Sequence, residues 1–257
     1  QIIVPPTKNL NLYYLIDGSD SIRSSEFKFI KLWVHGLVGK LYYTIKEQNA
    51  LKGTDQKLVV SLIQWSDVTQ LHFTGELNSE KDLAVFQKSV NDMQQLSSST
   101  QTMNGLEETL YLAKNQNGYT MKIAASGIQQ FDADGNEVSG MNLSGLADIN
   151  DDPEFSKALV LISDLRHNLA SDYDNMPPNL LQEVRDKFEQ IDVVVARNDN
   201  SQLAGVRELA LSGTFFPITE YKKITSPSFV QKTSDSLISH IERVKIEVFI
   251  DNISCGC

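Results

Sequence analysis

The chain is 257 residues long, enough for one large α/β domain or two small ones. With 41% hydrophobic and 22% charged residues it has the composition of a globular protein that can bury a full core. Its formal charge of −10, from 23 basic and 33 acidic residues, argues against nucleic acid or an anionic membrane as the main partner. No stretch reads as a membrane-inserting helix. A first residue of Gln1 raises the expectation of a processed or trimmed chain, a removed secretory signal being one explanation.

Residues 10–16, LNLYYLI, read as a buried strand. In residues 26–46 the apolar positions Phe27, Ile30, Val34, Leu37, Leu41 and Ile45 recur three and four apart, which is the face of a helix. Gly36 and Gly39 weaken that helix locally, so close packing on a sheet is expected to fix it. KLVVSLIQW (57–65) and QLHFTGEL (70–77) read as strands close enough to pair antiparallel, and residues 82–96 as a helix. A hydroxyl-rich stretch, SSSTQT, leads into a helix beginning near Met103.

KALVLIS (157–163) is an apolar strand ended by Asp164. Residues 180–191 read as a helix, 192–196 as a strand, 201–211 as a helix and 214–219 as a last core strand, with Pro217 marking an edge or a bend. Residues 226–244 read as a closing helix, and KIEVFI (245–250) as one more strand or a segment leaving the domain. This alternation predicts an α/β, doubly wound, mostly parallel sheet with one antiparallel edge strand and helices on both faces. In such sheets function gathers at the carboxyl ends of the strands. Asp17 and Asp164, each directly after an apolar strand, are expected on one rim.

Residues 115–156 interrupt the pattern with five glycines and read as an insertion on a single domain spanning 8–250, followed by a tail at 251–257. Within it, QQFDADGNEVSG suggests a hairpin around Asp134-Gly135. DADGN lacks the glycine and glutamate spacing of a calcium loop, and Asp148–Asp152 reads as a solvated acidic loop. The two cysteines, Cys255 and Cys257, are too few for a closed zinc site and leave the fold independent of disulfides. They either bond another chain or a missing partner segment, or form an inert end. Asn142 and Asn252 head N-x-S sequons.

The chemistry concentrates in Asp17-Gly18-Ser19-Asp20-Ser21. A carboxylate and two hydroxyls at alternate positions of a tight turn bring hard oxygen atoms together, and such oxygens suit Mg²⁺ or a similar cation. Thr100 and Thr102 lie in the T-Q-T-M-N-G stretch before a helix, and Asp164 ends ALVLIS. D-x-S-x-S, then T-x-T-x-x-G, then an aspartate after a later strand resembles the metal-ion-dependent adhesion site of von Willebrand factor type A domains. The resemblance covers roughly residues 10–245.

That resemblance implies that Ser19, Ser21 and Thr100 supply hydroxyl oxygens, while Asp17 and Asp164 act directly or through water. The implied cofactor is a divalent cation, Mg²⁺ before Mn²⁺ or Ca²⁺. The implied partner is a protein offering an Asp or Glu carboxylate, either a matrix protein or another copy of the chain, with no nucleic acid and no membrane insertion. The implied location is secreted or extracellular. Asp20, where the family commonly has glycine, and Thr102, Leu165, Arg166 and His167 would form the rim that meets the ligand. Leu165 stands where a glycine often follows the second aspartate.

The resemblance leads to an adhesion or matrix domain, with a self-assembling or cross-linking structural module as the alternative. An enzyme is disfavoured. Phosphoryl transfer on a strand-end aspartate needs D-x-D, but position 19 is serine. There is no G-x-S-x-G elbow, glycine-rich phosphate loop or Cys–His pair suited to nucleophilic chemistry. His35, His72, His167 and His240 show no paired metal spacing and read as structural, His167 alone falling near the site. Trp33, Trp65 and Phe215-Phe216 read as core.

Overall fold

In the computed structural model the elements run, in chain order, β1 (Asn9–Asp17), α1 (Ser24–Lys52), β2 (Leu58–Trp65), β3 (Thr69–Glu76), α2 (Glu80–Asp92), α3 (105–110), β4 (Thr120–Ala124), β5 (Gly127–Phe131), β6 (Phe155–Ser163), α4 (Leu180–Lys187), β7 (Gln190–Ala196), β8 (Phe215–Ile218), a 3-10 turn (Tyr221–Thr225) and α5 (Pro227–Ser254). The structure describes residues 8–99, 105–110, 120–124, 127–131, 154–164, 180–196, 209–210 and 213–254; for 120–124, 127–131, 240 and 242–254 it describes the backbone alone.

Six strands form one sheet in the order β3-β2-β1-β6-β7-β8. All neighbours are parallel except β2 and β3, which pair antiparallel with a bulge between Leu62 and Ile63. This is the doubly wound sheet with one antiparallel edge strand that the alternation predicts. Strands β1, β2, β6 and β7 are buried along their whole length, which is why they read as continuous apolar runs and not as alternating ones. Pro217 sits on the edge strand β8, where no further neighbour needs its missing N–H.

The pleat divides the core. Leu10, Leu12, Tyr14 and Ile16 of β1 join the apolar faces of α1, α2 and α5 on one side. Tyr13 and Leu15 join α3, α4 and the other face of β6 and β7 on the opposite side. Trp33 and Trp65, one in each cluster, are both fully buried, as their segments suggest.

Helix α1 packs its apolar face on the sheet, as its two glycines suggest. A methyl group at Gly36 would sit 3.9 Å from Val230 of α5, and one at Gly39 would sit 3.7 Å from Gln87 of α2, both ordinary contacts. Two local expectations are corrected. The helix expected over 180–191 ends at Lys187, because Gln190 already pairs with Ala158 of β6. KIEVFI is not a strand: α5 continues through it to Ser254. No glycine or proline interrupts residues 228–254, and extending an existing helix avoids the cost of nucleating a new element.

Strands β4 and β5 form a separate two-stranded antiparallel hairpin within the expected insertion. Residues 129–131 lie in its second strand, whereas Asp134-Gly135, the acidic loop 148–152, Cys255 and Cys257 lie outside the described residues.

Helix α3 follows the hydroxyl-rich loop and docks on the end of β2. A Cβ on Gly105 would stand 2.7 Å from Cγ of Trp65, so the close seat of helix on indole needs glycine there. Gly105→Ala is expected to lower stability by about 1–3 kcal/mol through overpacking, despite the better helix propensity of alanine. Urea unfolding followed by tryptophan fluorescence measures it; an unchanged midpoint would show that the seat relaxes freely.

Glu108, on the same helix, is 1% exposed, and neither carboxylate oxygen has a hydrogen-bond partner among the described residues. Burial pushes its carboxyl up to about 7; the nearby Thr69 hydroxyl pulls it down and the Glu107 charge adds to the rise. That hydroxyl sits outside hydrogen-bonding geometry, so it relieves little. Between the unfolded value of 4.5 and about 7, the folded chain holds a proton that the unfolded chain has lost. Stability through this group therefore falls as pH rises across that window, by up to about 3 kcal/mol. Glu108→Gln removes the loss. Denaturation at pH 4.5 and pH 8 should show the variant gaining on the parent at the higher pH, and parallel pH profiles would refute the assignment.

Candidate metal centre

Strands β1 and β6 are parallel neighbours in register, with Ile16 beside Ile162. Their carboxyl ends therefore place Asp17 and Asp164 on the same rim. After Asp17 the chain turns sharply under backbone control. Gly18 donates its N–H to the carbonyl of Trp65 at 2.8 Å and accepts from the N–H of Ser97 at 2.8 Å. A Cβ on Gly18 would lie 2.3 Å from Nε2 of the fully buried Gln64, so the turn has room only for glycine.

The exit of α2 holds the turn from the other side. Gln95 donates from Nε2 to the carbonyls of Ser19 at 2.8 Å and Ile22 at 2.7 Å. Asp20 donates its N–H to the carbonyl of Ser98 at 3.0 Å, while its side chain is exposed. Ser97 takes a φ of 52°, a left-handed kink that brings both contacts into place.

The side-chain oxygens then form a connected set. Asp17 Oδ1 accepts the N–H of Ser19 at 2.9 Å, and Asp17 Oδ2 accepts the hydroxyl of Ser163. The Ser19 and Ser21 hydroxyl oxygens are 2.9 Å apart, and Ser21 donates to Asp164 Oδ1 at 3.0 Å. Asp17 and Ser19 are fully buried, and Asp164 is 2% exposed. Burial pushes the Asp17 carboxyl up to about 6; the bonds from Ser163 and Ser19 oppose this, and the charge of Asp164 adds to it.

These residues fit a small divalent cation. An octahedral ion with oxygen ligands at 2.0–2.1 Å has neighbouring ligand oxygens about 2.9 Å apart. The spacings of 2.9 Å and 3.0 Å along Ser19, Ser21 and Asp164 are ordinary hydrogen-bond lengths, and they are also the size that adjacent ligands of such an ion require. Hydroxyls and carboxylates are also the donors that Mg²⁺ or Mn²⁺ prefers. Among the described residues no three His, Cys, Asp or Glu side chains cluster as a metal site.

Asp17, Ser19, Ser21 and Asp164 are thus brought together. Thr100, Thr102, Leu165, Arg166 and His167 lie outside the described residues. His72 is a half-buried histidine, its Nε2 3.1 Å from Gln64 Oε1, and partial burial lowers it to about 4. Sequence reading missed Ser163 and Gln95, which position the site. Ser163 directly precedes Asp164, so a hydroxyl beside a strand-end carboxylate was a usable signal. Gln95 lies in no motif and becomes visible only through its contacts.

No curated protein sequence matches the chain. Among solved structures, a von Willebrand factor type A protein from Catenulispora acidiphila superposes with a TM-score of 0.56 at 11% identity, over 90% of this chain and 43% of that one. Proximal thread matrix protein 1 from the mussel byssus superposes with a TM-score of 0.53 at 14% identity, over 90% of this chain and 48% of that one. The chain thus spans less than half the length of either, and likeness at such identity shows the fold. The family model of the von Willebrand factor type A domain matches residues 11–139, half of the sequence. The chain belongs to the von Willebrand factor type A domain family.

Proposed function

We propose that the chain is an adhesion or matrix module of the extracellular space that binds a protein ligand through a divalent cation, Mg²⁺ foremost. The observation that carries this reading is the run of hard oxygens from Ser19 through Ser21 to Asp164, spaced as the ligands of a small ion are. Family membership supports a protein-interaction or adhesion module, since these domains are generally not enzymes. No helix among the described residues is long and apolar enough to cross a membrane.

In this reading Ser19 and Ser21 contribute hydroxyl oxygens, Asp164 and Asp17 contribute carboxylate charge directly or through water, and Thr100 completes the set. A bound dication would supply an electrophilic position for an Asp or Glu carboxylate of the partner. Ser163 and the Ser19 N–H hold both oxygens of Asp17, which fixes its orientation. Gln95 and Gly18 keep the turn rigid, so the oxygens are preorganised before any ligand arrives.

A second reading, a self-assembling module of an extracellular material, draws support from the likeness to a byssus matrix protein. In that case the partner carboxylate belongs to another copy of the chain.

Isothermal titration with Mn²⁺ and Mg²⁺ tests the centre. One site is expected, with Ser21→Ala and Asp164→Ala each weakening it at least about tenfold, as loss of a hydrogen-bonded or charged ligand does. Circular dichroism controls for folding. Unchanged cation affinity in both folded variants would remove the metal reading. Light scattering with and without chelator separates the two partners: cation-dependent oligomers support self-assembly, and a monomer at all concentrations supports a foreign ligand.

A further inference from the structure

The rim that carries Asp17 and Asp164 continues across the sheet to the carboxyl end of β8. There a groove of about 480 Å³ opens between that strand, the 3-10 turn and the start of α5. It is lined by Lys223 and Lys232, by the hydroxyls of Thr219, Ser226 and Ser228, and by Phe229; none of its lining residues is acidic. In a chain with a formal charge of −10, this is a local reversal of sign.

Both ammonium groups are held over the groove. Lys223 donates to Thr219 Oγ1, and Lys232 lies 5.5 Å from the centre of the Phe216 ring. Neither has a carboxylate partner among the described residues. The start of α5 is not what makes the groove anion-seeking, because Ser226 already accepts the N–H groups of Phe229 and Val230. The positive charge belongs to the lysines.

We propose that this groove is a second contact for an acidic protein partner, taking one of its Asp or Glu side chains while another reaches the Asp17–Asp164 centre. The inference rests on the proposed cation-dependent reading and adds the partner's chemistry: a polypeptide segment with at least two spaced carboxylates. In the strand order β1-β6-β7-β8 the two places are three inter-strand steps apart, about 14 Å. An extended chain covers that in about four residues. Because the rest of the protein repels acidic chains, binding of one must be local.

Fluorescently labelled poly-L-glutamate at fixed free Mg²⁺ is the probe, with heparin as the sulfated-polysaccharide comparison. Binding of poly-L-glutamate is expected, weakened about tenfold in Lys223→Glu/Lys232→Glu, as loss and reversal of two exposed charges would do. The Mg²⁺ affinity of that variant, by isothermal titration, should stay unchanged. Undiminished poly-L-glutamate binding in the lysine variant, with binding lost in Asp164→Ala, overturns the groove and leaves the metal centre standing. Binding lost in the lysine variant but kept in Asp164→Ala supports the groove as an acidic-peptide site and counts against the metal centre. Tighter binding of heparin than of poly-L-glutamate, or no binding of poly-L-glutamate, overturns the proposal.

Discussion

Asp17 ends β1 with its carboxylate out of water, and that burial governs the residues around it. A buried carboxylate is costly unless hydrogen bonds or a counter-charge compensate it. Here the compensation is partial. One oxygen takes a backbone N–H from Ser19, the other a hydroxyl from Ser163, and burial still dominates the carboxyl's proton affinity. Asp164 on the neighbouring strand worsens the balance. Two carboxylates at adjacent parallel strand ends, joined by serines, make an arrangement that a dication relieves and a hydrophobic core would not.

The same constraint accounts for the rigidity of the turn. A carboxylate that must stay in a fixed dry position needs a backbone that does not wander. Gly18 closes against Gln64, and Gln95 clamps two carbonyls across the turn. The kink at Ser97 serves both contacts from the opposite strand of chain. Each of these is a packing solution to one electrostatic difficulty, and none uses the hydroxyls of Ser19 and Ser21 or the carboxylate of Asp164.

Much of this was legible in the amino-acid order, because buried parallel strands announce themselves as apolar runs and strand-end aspartates interrupt them abruptly. Asp17 and Asp164 could be assigned to one rim because connections between parallel strands have a fixed hand and direction. What stayed hidden depends on register and distance. Ser163 reaches Asp17 only because β1 and β6 align as they do, and Gln95 reaches Ser19 across 76 positions of sequence. KIEVFI misled for a different reason: its β-branched residues favour a strand locally, but an unbroken helix already ran into it. Propensity of six residues loses to propagation when no turn signal intervenes.

The seat of α5 shows how polar contacts can fix what an apolar seam alone would leave loose. Beneath the helix, Gln190 donates to Asp192 at 2.8 Å and to Ser236 at 3.1 Å, and Ser236 lies 2.8 Å from the Thr214 hydroxyl. Thr214 also donates its N–H to Asp192 at 2.8 Å. Along the register Tyr14–Val160–Asp192, the buried Tyr14 hydroxyl faces the same charge; its pKa is raised well above the usual value, by burial first and by Asp192 second. Apolar side chains such as Leu237 and Ile241, buried in the core, hold the helix to the sheet but carry no directional bond. Ser236 does. A shift of one turn moves it about 5.4 Å, beyond hydrogen-bond reach of Gln190 and Thr214. Each part-buried group left unsatisfied would cost about 1–3 kcal/mol. The length of α5 reflects helix propagation, whereas its position is set by a handful of directional bonds at the far side of the sheet from α3.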